Sequence, residues 1–269
     1  MAAAYLLLAA LIFRSCLGAE DNKGPSPSFS PDSILNSANN SSDSLTPNGL
    51  ATMFGSYLAE STASVGDVGA SELPTSLAGI RISIEGIFVS LLYVSPSQIN
   101  FLIPSNLKPG NVTLKLIKQG LVLDARIKLL DAAPALFAAA DRVTATHADG
   151  SLISPDAPAR PGEIVVVYCA GLGRTNPLQL YGMIPRSAAP ILLLDGLRVL
   201  LDGQPVPSEN ILYAGITPGY AGLYQVNLRL PEMMTKDNPE LVVALGDQTS
   251  QSALILHVAA TAQSDADAP

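Results

Sequence analysis

Between about residue 46 and residue 260, apolar segments of four to eight residues alternate with Gly, Pro, Asn and Asp. IRISI at 80–84, VTLKL at 112–116 and VNLRL at 226–230 switch between apolar and polar at every position. A strand turns successive side chains to opposite faces, so this period of two predicts half-buried strands. Asp149-Gly150, set between strand segments 143–147 and 151–153, predicts a tight hairpin. Asp195-Gly196 and Asp202-Gly203 predict two more around LRVLL at 197–201. Apolar stripes of helical period extend no further than about two turns, so the chain reads as all-β.

The pattern repeats. Residues 79–104 read GIRISIEGIFVSLLYVSPSQINFLIP, and residues 196–231 read GLRVLLDGQPVPSENILYAGITPGYAGLYQVNLRLP. Gly-apolar-Arg, an acidic residue with Gly, Leu-Tyr, and Gln-x-Asn-x-x-x-Pro recur in the same order, over 26 residues in one copy and 36 in the other. Upstream, PNGLATMFGSYLA pairs with RPGEIVVVYCAGLG when Pro47 is aligned with Pro161. Each unit has the size and strand spacing of an immunoglobulin-like sandwich. The expectation is two tandem immunoglobulin-like β-sandwich domains, residues 33–131 and 132–259. Ala132-Ala133-Pro134 joins them with little linker, so bending between them should be limited.

The termini add a compartment. Ala2 to Phe13 is an unbroken apolar run, too short to span a bilayer but of the length of a secretory signal core, and Leu17-Gly18-Ala19 offers small residues for cleavage. Residues 1–19 are therefore read as a signal peptide, 20–32 as a flexible leader and 260–269 as a disordered tail. No later stretch is long enough for a transmembrane span. Phe13-Arg14-Ser15 lacks the small apolar residues expected before a lipid-bearing cysteine, which argues against a lipoprotein anchored at Cys16. With Cys16 removed, Cys169 stands alone in the apolar run IVVVYCAGLG and reads as a small core residue. The 15 Lys and Arg against 23 Asp and Glu give a net charge of −8, with no basic cluster, which excludes a nucleic-acid surface.

Taken together, LPTSLAGIRISIEG, YVSPSQINFLIP, APALFA, PARPGEIVVVYCAGLG and YAGITPGYAGLYQVNLRLP resemble the "Solibacter C-terminal" module. This is an uncharacterised family found mostly at the C-terminal ends of exported proteins of soil acidobacteria. The resemblance covers about residues 33–258. It implies export and immunoglobulin-like folds of the transcription-factor type, and it carries no established activity or functional residues. The module usually follows other domains, whereas here it comes almost directly after the apolar N-terminal run.

Candidate chemistry is sparse. Only His147 and His257 occur, the first beside the Asp149-Gly150 turn and the second in the alternating ALILHVA segment. No HExxH, paired-cysteine spacing, phosphate loop or nucleophile elbow is present, so neither catalytic nor metal residues are assigned and no cofactor is implied. Glu85 and Asp202 sit at equivalent turn positions, where turn chemistry already accounts for an acidic residue. Two features remain for binding. Gln98 and Asn100, with Gln225 and Asn227, face away from the apolar side of their strands, either as structural amides or as a polar ligand strip. Tyr213, Tyr220 and Tyr224 either pack the second core and close its loops or form a stacking platform. The sequence therefore reads as a non-enzymatic secreted or cell-envelope module with a binding, adhesion or structural role. Its partner would be a protein or an extracellular polysaccharide, with a carbohydrate-binding module as the alternative and a hydrolase third.

Overall fold

The structure is a computed structural model of the 269-residue chain, describing residues 26–65, 72–234 and 236–259. The expected signal peptide, the start of the leader and the C-terminal tail lie outside the described residues. The first half supplies β1 (Ile34–Asn36), β2 (Leu50–Phe54), β3 (Ala63–Ser64), β4 (Ile80–Ile84), β5 (Ile87–Phe88), β6 (Ser90–Val94), β7 (Gln98–Leu102), β8 (Gly110–Lys118) and β9 (Leu121–Leu129). The second half begins with β10 (Ala135–Leu136), β11 (Ala138–Ala139), β12 (Arg142–Val143), β13 (Ala145–His147), β14 (Ile164–Ala170) and β15 (Ala189–Pro190). It continues with β16 (Leu197–Leu201), β17 (Gln204–Pro205), β18 (Ile211–Ile216), β19 (Tyr224–Arg229), β20 (Leu241–Leu245) and β21 (Gln248–Thr249).

Sheet order β1-β2-β7-β6-β3 faces β5-β4-β8-β9 in the first half, and β10-β14-β19-β18-β15 faces β17-β16-β20-β21 in the second. The two orders superimpose strand for strand: β2 corresponds to β14, β7 to β19, β6 to β18, β4 to β16 and β8 to β20. All the ladders are antiparallel. Each half is an immunoglobulin-like β-sandwich with its own core. Ile82 and Ile84 meet Met53, Ile99 and Phe101 in the first, and Val199 meets Val165, Val167, Val226 and Leu228 in the second. These are the apolar members of the alternating segments, so the period of two becomes two separate interiors.

The turns follow the duplication too. Glu85-Gly86 joins β4 to β5 with φ of 50° and 80°, and Asp202-Gly203 joins β16 to β17 with φ of 47° and 75°. Positive φ at both central residues is the two-residue hairpin geometry that matches strand twist. Asp195-Gly196 differs from expectation: Leu194–Gly196 is a 3-10 turn leading into β16, not a hairpin. No strand precedes it in the same sheet for a hairpin to join. The leader also orders earlier than expected. Ser28 and Ser56 exchange backbone hydrogen bonds of 3.0 and 2.9 Å, and Phe29 packs on the first core.

Between the sandwiches lies a third apolar cluster. Leu50 and Leu102 from the first unit meet Phe137, Ala170, Ala221 and Leu223 from the second. Three residues (95–97) connect β6 to β7, but seven (217–223) connect β18 to β19. Those extra residues of the second copy deliver Tyr220, Ala221 and Leu223 to the seam. The long β14–β15 connection reaches across as well. Tyr181 Oη accepts from Ser90 N at 2.7 Å and donates to Phe88 O at 3.0 Å, while Leu73 N donates to Gly182 O at 2.9 Å. Inside the second core, Tyr224 Oη donates to Gly173 O and accepts from Asn48 Nδ2 of the first unit at 2.9 Å. Burying each large apolar side chain in such a seam stabilises by about 2 kcal/mol, so the two units are packed together and not merely tethered.

Gly222 marks a close approach of the two units. Its φ is +74°, and a Cβ there would stand 2.6 Å from Leu102 Cδ1 and 2.9 Å from Leu50 Cγ. Gly222→Ala should cost about 2 kcal/mol through backbone strain and overpacking. An unchanged thermal midpoint would contradict the seam as described. Backbone 15N relaxation should return one tumbling time for both units, and two independent times would do the same.

Candidate functional site

The surface that both copies share is the outer face of the sheet built on β2 and β7 in one unit and on β14 and β19 in the other. Alternation along β7 sends Ile99 and Phe101 into the core and Gln98, Asn100 and Leu102 outward. Along β19 it sends Val226 and Leu228 inward and Leu223, Gln225, Asn227 and Arg229 outward. Gln98 Nε2 donates to Asn100 Oδ1 at 2.8 Å, and Gln225 Nε2 donates to Asn227 Oδ1 at the same distance. The amides thus bond along their own strand. All four side chains are half-buried.

Cross-strand register surrounds each amide pair in the same way. Phe54 lies opposite Gln98, and Thr52 and Tyr93 lie opposite Asn100. In the second unit Tyr168 lies opposite Gln225, and Val166 and Tyr213 lie opposite Asn227. A bulge precedes each of the two tyrosines, between Leu91 and Tyr93 and between Ile211 and Tyr213. Bulges re-aim the side chain that follows, and here the same one occurs in both copies. Tyr93, Phe54 and Tyr168 were not singled out from the sequence. Extending the Pro47–Pro161 alignment would have paired Phe54 with Tyr168, and the shared Leu-Tyr pairs Tyr93 with Tyr213.

Tyr213, Tyr220 and Tyr224, read either as core and loop packing or as a stacking platform, lie in three different environments. Tyr224 is 0% exposed, held inside the second core, where burial raises its phenol well above the usual range. Tyr220 packs into the seam. Tyr213 alone reaches the outer face. Its Oη donates to Ile216 O at 2.8 Å and accepts from Ala189 N at 3.1 Å. A Cβ on Gly215 would lie 2.4 Å from that Oη and 2.7 Å from Cζ, so the ring tip covers Gly215. Neighbours in sequence, the three separate because β18, the loop after it and β19 each carry one.

The remaining reactive groups are engaged elsewhere. Cys169 is fully buried, and desolvation pushes its thiol far upward, so it stays protonated. His257 Nδ1 lies 3.1 Å from Asn238 Oδ1. Glu85 Oε1 accepts from Thr113 N at 2.5 Å, and Asp202 Oδ1 accepts from Lys236 Nζ at 3.0 Å and Glu240 N at 3.2 Å, each in its own sandwich. Among the described residues no group of three or more His, Cys, Asp or Glu is arranged to hold a metal ion.

His147 is held at both ring nitrogens. Its Nδ1 is 2.5 Å from Glu163 Oε1 and its Nε2 is 3.3 Å from Ala157 O. Both partners accept, so both ring nitrogens donate only in the imidazolium. The Glu163 hydrogen bond chiefly raises the His147 pKa against a smaller opposing desolvation, with Ala157 and the charges of Glu163 and Asp149 adding to the rise. The clip ties β13 to the 148–163 segment.

No protein-family model matches the chain, and no curated protein does. Among solved structures it is similar to the Bacteroides ovatus mixed-linkage glucan utilization locus SGBP-B in complex with mixed-linkage heptasaccharide. That likeness has 13% identity and a TM-score of 0.34, over 81% of this chain and 43% of that one. It is also similar to the I9–I11 tandem of titin, at 12% identity and a TM-score of 0.23, over 79% of this chain and 59% of that one. Domains 5–6 of the S-layer protein SbsC match at 10% identity and a TM-score of 0.24, over 88% and 100%. The chain spans less than half the length of the first of these, and the likeness throughout is one of β-sheet build.

The clip has a pH signature. A raised pKa favours the protonated form in the fold, so its stabilisation is complete below the unfolded value of 6.5 and disappears as pH rises through the higher folded value. His147→Gln should therefore lower the thermal midpoint more at pH 5.5 than at pH 8.5. Equal losses at both pH values would remove His147 from any stabilising role.

Proposed function

We propose that this chain is a non-catalytic binding or structural module that works outside the cytoplasm and belongs with the "Solibacter C-terminal" proteins it resembles. The observation that carries this reading is the seam: two sandwiches locked end to end by Leu50, Leu102, Phe137 and Leu223 make a stiff spacer that holds two matching sheet faces in fixed relation. The groups that acyl transfer would recruit are otherwise occupied. Cys169 is enclosed, and both nitrogens of His147 face acceptors, Glu163 Oε1 and Ala157 O. The apolar run Ala2 to Phe13 supports export through a signal cleaved after Ala19, to the cell envelope or the medium. The partner is a protein or an extracellular polysaccharide.

Fractionation of the native host, with an antibody against residues 26–259, should find the protein in the exported or envelope fraction with its N-terminus at Glu20. Retention in the cytoplasm with residue 1 or 2 at the N-terminus would refute this reading. So would turnover of polysaccharide or ester substrates by the purified chain.

A further inference from the structure

The two outer faces share a composition. Phe54, Tyr93, Gln98 and Asn100, with the buried Thr52 among them, form one row, and Val166, Tyr168, Tyr213, Gln225 and Asn227 form the other, in matched register. The five residues of each row are uncharged, on a chain whose net charge is −8, and Arg229 follows Asn227 on the same face of β19. Each amide pair uses one Gln hydrogen and one Asn oxygen on itself, leaving the Gln Oε1 as acceptor and the Asn Nδ2 as donor. A hydroxyl is donor and acceptor at once, so an acceptor and a donor side by side match it. The aromatic residue opposite each amide supplies apolar area, with Tyr168 packed on the seam cluster and Tyr213 lying over Gly215.

We propose that the two rows are paired subsites for a neutral, linear, polyhydroxylated polymer: an uncharged polysaccharide laid along β7 and β19. This deepens the binding role argued above and rests on it. Both rows run up to the seam. Leu102 follows Asn100 on the same face of β7, Leu223 precedes Gln225 on the same face of β19, and both leucines are buried in the seam. Each amide pair therefore ends about 7 Å of strand from the junction. A charged polymer would find one charge on the path along β19, Arg229, and none on the path along β7. A folded protein partner generally needs about 800 Å² on each side, more than a row five residues long offers. A thin repeating chain suits two narrow subsites held at a fixed spacing, because the second contact then forms at high effective concentration.

The test uses the full exported chain in affinity electrophoresis through gels containing neutral polysaccharides (mixed-linkage β-glucan, xyloglucan, galactomannan), with polygalacturonate as the charged contrast. Retardation by at least one neutral polymer, little changed by salt, is expected. The pair Gln98→Ala with Asn100→Ala should weaken it about tenfold, and so should Gln225→Ala with Asn227→Ala. The fourfold variant should abolish it. Should a variant not fold, the wild-type side-chain amide signals of these four residues should shift in 15N spectra on adding the matching oligosaccharide. No retardation by any neutral polymer, retardation by polygalacturonate alone, or amide signals that do not move would each overturn the proposal. So would binding that survives in a folded fourfold variant. If the chain instead captures an envelope protein, the polysaccharide assignment falls while the role as a binding module stands.

Discussion

Leu50 and Leu102 sit on the outer face of their sheet, the side a lone sandwich would turn toward water, and are nevertheless buried. Everything distinctive about this molecule depends on that burial. It occurs because the second copy carries a longer β18–β19 connection, with Leu223, Ala221 and a glycine so close to the leucines that no side chain fits between them. The polar contacts at the junction are secondary in energy but fix the register. Asn48 reaches the phenol of Tyr224 in the second core, and Tyr181 replaces the hydrogen-bonding partners of Ser90 N and Phe88 O across the seam. A net hydrogen bond contributes about 1 kcal/mol, so apolar burial sets the strength and these bonds set the angle.

With the junction closed, the two outer faces become parts of one object. Duplication would preserve the inward-facing residues in any case, since each core needs them. The agreement extends to the outward-facing residues as well. Gln-x-Asn, its internal hydrogen bond, the opposing aromatics and the bulge before each tyrosine all recur. The differences are equally physical. Leu92, in the first bulge, packs toward the seam, whereas Leu212, in the second, is exposed because that part of β18 lies at the end away from the junction.

Much of the fold was legible because its signals are local. IRISI, VTLKL and VNLRL alternate as strands should, and each became a strand with its apolar members inside. Asp202-Gly203 adopted the two positive φ values that a tight hairpin requires. Asp195-Gly196 carries the same dipeptide and became a 3-10 turn, because a hairpin also needs a partner strand on its other side, which the dipeptide does not report. Ser28 and Phe29 looked like linker and are ordered, since their partners Ser56 and the first core lie far along the chain.

By itself, the sequence determined the all-β class, the doubling of the unit, the inward set of each strand and the outward amides, since all of these follow from a period of two and from turn residues. Only the tertiary structure decided which outward residues remain at the surface. Tyr213, Tyr220 and Tyr224 lie within twelve residues of one another and end on a sheet face, in a seam and in a core. Exposure depends on what packs against a residue from elsewhere in the chain, and a pattern of neighbours in sequence contains no record of that.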